Sequence, residues 1–316
     1  MAEHSLVEPM PSAFGNPVSR YFAATRPPFL TATLVACMLG ISIARHDGVA
    51  IQSVWAIATL LLALLVHAAV NVLNDYYDAL SGTDAANQER LFPFTGGSRF
   101  IQNGVMTLRE TAVFGYAMLA IAMLGGLWLV AQAGVGLLWI GAIGLMVGWA
   151  YSAEPLTLNA RGWGELCVLA GFLGLVIGAD FVQRQAFDAR PWLIGLPYAL
   201  LVTNLLYINQ FPDRAADAAV GKRHWVVRLP VQRAVWGYPL LALLAAVVLV
   251  ADVLAGWLSP WALLAGIPVG FSLPAAHVLV KSCGQPSHLR PAIQYTLVAM
   301  LGHGLLLSLI LFLEPR

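Results

Sequence analysis

The charged residues of this chain are spaced so unevenly that they leave long uncharged windows, and no other feature restricts the fold as strongly. Its 316 residues include 17 lysines and arginines and 16 aspartates and glutamates, together 10% of the chain, whereas a soluble domain carries roughly 25%. No charge occurs between Glu110 and Glu154. Because a helix crossing a bilayer needs about 17 to 25 predominantly apolar residues, the chain is predicted to be an all-α, polytopic membrane protein.

Charged residues at the edges of the apolar windows predict about nine transmembrane helices around a central cavity. The windows lie between residues 26 and 45, 47 and 75, 110 and 154 (two helices, turning at 134–136), 165 and 180, 190 and 213, 233 and 252, 252 and 281, and 290 and 314. We expect one transmembrane domain over 28–313, preceded by a cytoplasmic segment, 1–27. Two connections, 71–110 and 209–233, are longer than turns and carry the polar motifs.

The distribution of basic residues predicts the orientation, since Lys and Arg are retained on the cytoplasmic side. With the N-terminus inside, the cytoplasmic segments hold 13 of the 17 basic residues. This predicts a multi-pass protein of the bacterial inner membrane with a cytoplasmic N-terminus and an external C-terminus.

Charge and cysteine content exclude several function classes. The formal net charge of +1 provides no broad basic surface for nucleic acid, so no nucleic-acid partner is expected. Cys37, Cys167 and Cys283 show neither CxxC nor Cys/His ligand spacing. Neither a structural disulfide nor a zinc site is therefore expected.

Polar side chains follow the second apolar window at helical spacing: Asn71, Asn74, Asp75 and Asp78. Offsets of three and four residues return to the same side of a helix, so on a helix that continues out of the membrane these residues form one polar face. Asp213 and Asp217, also four apart, follow the window 190–213, which is the sixth predicted helix, and lie on a helix whose first turn accommodates Pro212.

Four carboxylates on two helix faces predict a metal site. Like charges gathered at a membrane boundary repel one another and lose solvation, and a bound cation offsets that cost. Oxygen ligands of this kind suit Mg²⁺, which completes its shell with water and phosphate oxygens. The implied ligand is a diphosphate, and the basic side chains expected to hold it are Arg99, Lys222, Arg223 and Arg228.

Other interpretations of these residues remain. A lone DxxxD at a helix start is often a solvated turn favoured by the helix dipole, and orientation alone explains basic residues in cytoplasmic loops. The repetition of the pattern at two helix ends favours the metal–diphosphate interpretation. An ion-coupled transporter would place its charges near the centres of the spans, whereas these gather at one face. A membrane alcohol phosphotransferase would carry a DGxxAR-type motif, which this chain lacks.

Motifs over most of the chain resemble the UbiA superfamily of intramembrane prenyltransferases. The two aspartate-rich motifs of that family are similar to NDYYD with SGTD, from Asn74, and to DRAAD with GKRHWVVRL, from Asp213. Arg26-Pro27 resembles the family's opening Arg-Pro, and YSAEP, from Tyr151, its Tyr-x-x-x-Pro loop. The SGxD ending and the GKRxxxVRL run most resemble the 1,4-dihydroxy-2-naphthoate prenyltransferase branch, and the family fold has nine helices.

The resemblance implies Mg²⁺-dependent transfer of a prenyl group from an isoprenyl diphosphate to an aromatic acceptor in the lipid membrane. It implies a metal–diphosphate set of Asn74, Asp75, Asp78, Asp213 and Asp217, with Asn71, Lys222 and Arg223 on the diphosphate and Tyr151 as an active-site aromatic. The chain departs from the family at Gly82, where many members have Asp and where Asp84 follows instead, and at Pro230, where Gly is usual. The acceptor stays open between naphthoate, 4-hydroxybenzoate, homogentisate and a specialised phenol.

Overall fold

The computed structural model describes residues 8–314, and all regular structure in that part of the chain is helical. The bundle helices, labelled in chain order, are α1 (Pro27–His46), α2 (Ser53–Ser81), α3 (Leu108–Ala133), α4 (Gly136–Ser152), α5 (Gly164–Arg184), α6 (Arg190–Ala219), α7 (Gly237–Leu254), α8 (Ser272–Lys281) and α9 (Arg290–Leu313). The all-α prediction is confirmed. The first seven residues of the predicted segment 1–27, and the extreme C-terminus after 314, lie outside the described residues.

Eight helical stretches in residues 8–314 are long and apolar enough to cross a membrane. Two of them include short helical pieces before the main helix, so the stretch ending in α7 begins at Val231 and the stretch ending in α8 begins at Pro260. The remaining helix, α4, is apolar and has 17 residues, which is the lower limit of about 17 for a span. This agrees with the prediction of about nine spanning helices, and the chain is an integral membrane protein.

The eighth predicted helix, in the window 252–281, is not one continuous helix. The chain there forms a 3-10 helix, Pro260–Ala265, a single turn, Gly266–Val269, and then α8. Pro268 has no N–H group to donate to the helix ladder, and Gly270 follows two residues later. Both residues weaken a helix interior, which accounts for the break.

The sixth helix also differs from the prediction, because Pro212 lies inside α6 rather than in the first turn of a new helix. The helix runs for 30 residues with both Pro197 and Pro212 in its interior. Most of α6 is surrounded by other helices, and tertiary packing of this kind contributes more to helix stability than residue propensity does. As a result, Asp213 and Asp217 lie on the same helix that crosses the membrane.

Helix α6 is the most deeply buried of the eight long spans in residues 8–314, and it packs against α1, α5, α7 and α9. Its fully buried side chains, including Tyr198, Leu201 and Ile208, meet Leu39 of α1 and Met300 of α9 in the main core cluster. The hairpin of α2 and α3 packs beside α1, and α4 packs on α5. This arrangement brings the C-terminal ends of α2, α4 and α6 to one face, which we call the motif face, with the connections 82–107, 153–163 and 220–230.

A cluster of charges joins three helices at the opposite face. Arg184 of α5 donates hydrogen bonds from Nη2 to Asp180 Oδ1 at 2.8 Å and to Asp47 Oδ2, after α1, at 2.7 Å. Arg190 of α6 also pairs with Asp47. Both carboxylates are almost inaccessible to solvent, so these pairs connect α1, α5 and α6 far from the motifs.

Candidate active site

Helix α2 carries the first motif to the motif face. It continues to Ser81 and ends at Gly82, whose φ of 78° is the left-handed conformation that glycine adopts readily. Asn74 Nδ2 donates to Asp78 Oδ2 at 3.1 Å, one turn along the helix, and to Ser152 Oγ of α4 at 3.0 Å. Asp75, on the same helix, is buried. The first motif is therefore held between α2 and the end of α4.

The second motif is held by residues from the connections. Asp213 Oδ1 accepts a hydrogen bond from Asn87 Nδ2 at 2.6 Å, and His224 Nε2 lies 3.0 Å from Asp217 Oδ2. Asp217, Asn87 and His224 are all buried. The connections fold back over the end of α6 and orient both of its carboxylates.

Lys222 joins the two motifs into one site. Its Nζ lies 2.8 Å from Asp78 Oδ1 and 3.3 Å from Asp217 Oδ1. Burial alone would lower the pKa of Lys222, but the Asp78 and Asp217 charges outweigh that effect and hold the pKa above its ordinary value. The ammonium group is therefore a permanent positive charge between the carboxylates of α2 and α6.

Asp84 adds a further carboxylate beside Asp75. A Cβ atom placed on Gly97 would lie 2.6 Å from Asp84 Oδ2 and 2.9 Å from Asp75 Oδ1, so both carboxylates face the bare α-carbon of this glycine. Burial and the charges of Asp78 and Asp75 raise the pKa of Asp84 to about 8. We refer to Asp75, Asp78, Asp84, Asp213 and Asp217 as the carboxylate cluster.

The carboxylate cluster has the donor chemistry for Mg²⁺. All five groups supply hard oxygen atoms, which this ion prefers, and the raised pKa of Asp84 reflects negative charge that a cation would neutralise. Within residues 8–314 no three acidic, histidine or cysteine side chains already converge as a closed metal site. Mg²⁺ commonly binds through one or two carboxylates together with substrate phosphate oxygens, so the open arrangement fits a metal held jointly with a diphosphate.

Several predicted diphosphate ligands make contacts outside the carboxylate cluster. Asn71 Nδ2 donates to the Thr25 carbonyl at 3.1 Å and so anchors the start of α1. Arg228 Nη2 donates to the Arg161 carbonyl at 2.7 Å, and Arg223 is exposed.

Arg99 differs from these residues because it is buried at the cluster's edge. Its Nη1 donates to the backbone carbonyl of Asp84. Of the predicted basic side chains, Lys222 is the one whose charged atom is paired with the motif carboxylates.

The residues missed from the sequence come mainly from the connections. Asn87 and His224 contact the second motif, and the Ser98 backbone N–H donates to Asp75 Oδ1 at 3.1 Å. Arg26 acts electrostatically on Asp75 and Asp84. The sequence could have indicated these residues only by their position, because they follow or flank the motifs. It contains no local pattern that shows which carboxylate each residue contacts.

Tyr151 and an apolar cleft lie beside the carboxylate cluster. The Tyr151 ring is next to Gly164, whose added Cβ would be 3.7 Å from Tyr151 Cε2, and it lies within electrostatic reach of Lys222 and Asp78. A narrow, mainly apolar cleft runs between α2, α3 and α4. It is lined by Val66, Val70, Leu73, Leu119, Leu145 and Trp149, and reaches Asn74 and Ser152 at the motif face.

The fold and the carboxylate cluster together define an integral membrane protein with an acidic site at one face of a helical bundle. The model of the UbiA prenyltransferase family matches residues 33–298. The chain belongs to the UbiA prenyltransferase family, and it is a prenyltransferase enzyme.

Named relatives and solved structures are consistent with this assignment. A 1,4-dihydroxy-2-naphthoate octaprenyltransferase of Bacillus subtilis is 27% identical over 293 residues, covering 90% of this chain and 89% of the relative. The enzyme of the same name from Mycobacterium tuberculosis is 29% identical and covers 79% and 82%. A UbiA homologue from Archaeoglobus fulgidus, solved with DMAPP and Mg²⁺, superposes with a TM-score of 0.64 at 15% identity, over 89% of this chain and 99% of that one. At this identity the structural match establishes the fold.

Proposed function

We propose that this enzyme transfers a prenyl group from an isoprenyl diphosphate to 1,4-dihydroxy-2-naphthoate, in a Mg²⁺-dependent reaction at the membrane that belongs to menaquinone biosynthesis. The observation that carries the proposal is the position of Lys222, which contacts Asp78 of the first motif and Asp217 of the second. The two motifs therefore belong to one site that can hold both ends of a metal-bound diphosphate.

The chemistry assigned to the site follows from its charges. Asn74, Asp75, Asp78, Asp213 and Asp217 would hold Mg²⁺, which when bound would supply positive charge against the negative charge that develops on the departing diphosphate. Lys222 donates to the phosphate oxygens and strengthens that stabilisation in the transition state. The Tyr151 ring, which is within electrostatic reach of Lys222, stabilises the allylic cation through its π-face. Attack by the electron-rich acceptor ring then forms the new carbon–carbon bond.

The prenyl chain is placed in the cleft between α2, α3 and α4. Its walls are mainly apolar, and it reaches Asn74 at the motif face. Keeping each methylene of the chain out of water, in lipid or in the cleft, is worth about 0.8 kcal/mol, which explains a site inside a membrane protein.

The naphthoate acceptor is proposed because the relatives from Bacillus subtilis and Mycobacterium tuberculosis carry that substrate in their names. Prenyl transfer to 4-hydroxybenzoate, homogentisate or another phenol is the alternative. An ion-coupled transporter is disfavoured because the motif carboxylates lie together at one face rather than along the spans.

The test is a product-mass measurement with the purified full-length protein in detergent. Donors of increasing chain length are combined with naphthoate, hydroxybenzoate and homogentisate acceptors, with Mg²⁺ or with EDTA. We expect a prenylated naphthoate product and diphosphate release that both require Mg²⁺.

Two outcomes would contradict the proposal. Prenyl transfer at an unchanged rate in EDTA would show that the reaction does not need Mg²⁺. Transfer to hydroxybenzoate or homogentisate but not to naphthoate would show that the proposed acceptor is wrong. Asp213→Asn should lose activity. The matched control is Asp188→Asn, the same substitution at the opposite face, which should keep full activity.

A further inference from the structure

The carboxylate of Glu165 is buried in the bundle without a partner that accounts for its burial. Glu165 is the second residue of α5, after Trp163 as N-cap. Both of its carboxylate oxygens are buried, and within residues 8–314 neither accepts a hydrogen bond. A desolvated carboxylate without partners is costly. A buried polar group without a partner in a native structure needs an explanation, and a catalytic role is one such explanation.

Its helical position does not explain this burial. Carboxylates are favoured near a helix N-terminus by the dipole and by the free N–H groups of the first turn. Glu110 shows that arrangement in the first turn of α3, where Oε2 accepts from Thr107 N at 2.8 Å and from Thr107 Oγ1 at 3.0 Å. Glu165 makes no such contact with the first turn of α5.

The surroundings of Glu165 lead back to the active site. The residue before it, Gly164, lies against Tyr151 of α4, since a Cβ placed on Gly164 would be 3.7 Å from Tyr151 Cε2. Glu165 itself is within electrostatic reach of Tyr151 and of Tyr207 of α6. The Tyr207 hydroxyl donates to the Ala234 carbonyl at 2.8 Å, which leaves it no proton to donate to Glu165. Tyr151 is also within reach of Lys222 and Asp78. Glu165 therefore lies near the ring that borders the carboxylate cluster.

We propose that Glu165 is the catalytic base that binds the hydroxyl group of the aromatic acceptor and takes its proton, an inference that rests on the proposed function. The O–H bond breaks and the proton passes to a Glu165 oxygen. The resulting phenolate is a stronger nucleophile, and its ring carbon bonds to the prenyl C1 atom as the C1–O bond breaks and diphosphate leaves with the electron pair. The ring carbon then releases its own proton to the departed diphosphate or, on a carboxylated ring, releases CO₂. The electron pair returns to the ring, and the acceptor oxygen takes its proton back from Glu165.

The test compares Glu165→Gln, Glu165→Asp and the first-turn control Glu110→Gln, all as full-length protein. General-base catalysis contributes about 10²- to 10⁴-fold. We expect Glu165→Gln to lose about 100-fold in kcat/KM for the acceptor and to lose the acid limb of the pH–rate profile, with Glu165→Asp partly active. The loss should shrink for acceptors whose hydroxyl group is already ionised at the assay pH.

Binding of the diphosphate part of the donor distinguishes a catalytic role of Glu165 from a structural role. Binding of inorganic pyrophosphate with Mg²⁺ should be the same in Glu165→Gln and in the wild type, because the base does not touch the donor. Near-normal activity of Glu165→Gln would overturn the inference. An equal loss for all acceptors with an unchanged pH profile would also overturn it, and if Glu165→Gln fails to fold the same comparison is made with Glu165→Asp. Absence of transfer by the wild type with every donor and acceptor would instead overturn the proposed function, and this inference with it.

Discussion

At the scale of single residues, Lys222 determines how the carboxylates of the two motifs share one space. It is one of only two lysines in the chain; the other, Lys281, is exposed at the end of α8. Without the Lys222 ammonium group, Asp78 and Asp217 would face each other with only a metal ion to offset their repulsion. Lys222 is therefore expected to contribute both to the resting site and to diphosphate binding.

Lys222→Gln should lower kcat/KM for the donor by about tenfold to a hundredfold, because hydrogen bonds to charged groups contribute roughly 1.5 to 3 kcal/mol. Steady-state kinetics with varied donor at saturating acceptor measure the loss. Lys281→Gln should keep wild-type kinetics. Equal kinetics for the two variants would show that Lys222 has no role in the site.

A second prediction at this scale concerns Gly97. Substitutions at Gly97 and at Gly104 together distinguish the effect of backbone strain from the effect of crowding the carboxylates. Gly97 and Gly104 have φ values of 72° and 70°, so alanine at either position costs about 1 to 2 kcal/mol in the left-handed conformation. Only at Gly97 does the added Cβ meet Asp84 and Asp75; at Gly104 it meets nothing within 4 Å.

Gly97→Ala should therefore lose activity and bind Mg²⁺ more weakly, while Gly104→Ala should lose a similar amount of stability and keep its activity. Thermal unfolding and Mg²⁺ titrations of the activity measure both effects. Full activity in Gly97→Ala would mean that Asp75 and Asp84 do not need the close approach of this backbone.

At the scale of elements, α4 is a wall of the cleft, and its glycines differ in what they face. Gly144 lines the cleft, whereas Gly141, three residues earlier, does not, and neither has an atom within 4 Å of an added Cβ. The two positions are therefore a matched pair for testing where the prenyl chain lies.

Gly144→Leu should shift the preferred donor to shorter prenyl chains, because the side chain would fill part of the cleft, and Gly141→Leu should not. Relative kcat/KM values across a series of donor lengths measure the shift. An unchanged preference in Gly144→Leu would place the chain elsewhere.

The ends of α1, α5 and α6 depend on Arg184. Removing one partner of a buried ion pair costs about 3 to 5 kcal/mol, since Asp47 and Asp180 would lose hydrogen bonds from a shared donor. Arg184→Gln should therefore lower the thermal unfolding temperature markedly. Arg109→Gln, an exposed residue that makes no ion pair within residues 8–314, should change it little. A small effect of Arg184→Gln would mean that packing alone joins the three helices.

At the scale of the whole molecule, the predicted orientation can be tested with the native cysteines. Cys37 and Cys167 are buried, while Cys283 is half-buried in the connection between α8 and α9 at the motif face. A membrane-impermeant maleimide should label Cys283 in inverted vesicles and not in intact cells. Ala186→Cys in a Cys283→Ser background, at the opposite face, should show the reverse. Labelling of Cys283 from outside would invert the orientation.

The spans follow from local properties of the sequence, which is why they could be predicted well. An apolar window of sufficient length must satisfy its backbone hydrogen bonds internally in lipid, and this holds whatever the neighbouring helices do. The same argument placed Asn74 and Asp78 on one side of α2. It did not predict that α6 would continue through Pro212, because burial of α6 by four neighbouring helices is a property of the bundle.

The sequence by itself determined an all-helical membrane bundle and the residues of the two motifs, because apolar length, helical periodicity and charge position are local quantities. Only the tertiary structure decided which side chains meet. The paths of the connections 82–107 and 220–230 bring Asp84 to Asp75, Asn87 to Asp213 and Lys222 between the motifs, and direct Arg228 elsewhere. Asn71, on α2, meets Thr25 because of how α2 packs beside the start of α1. These paths depend on contacts between residues far apart in the chain, for which neither periodicity nor spacing provides a signal.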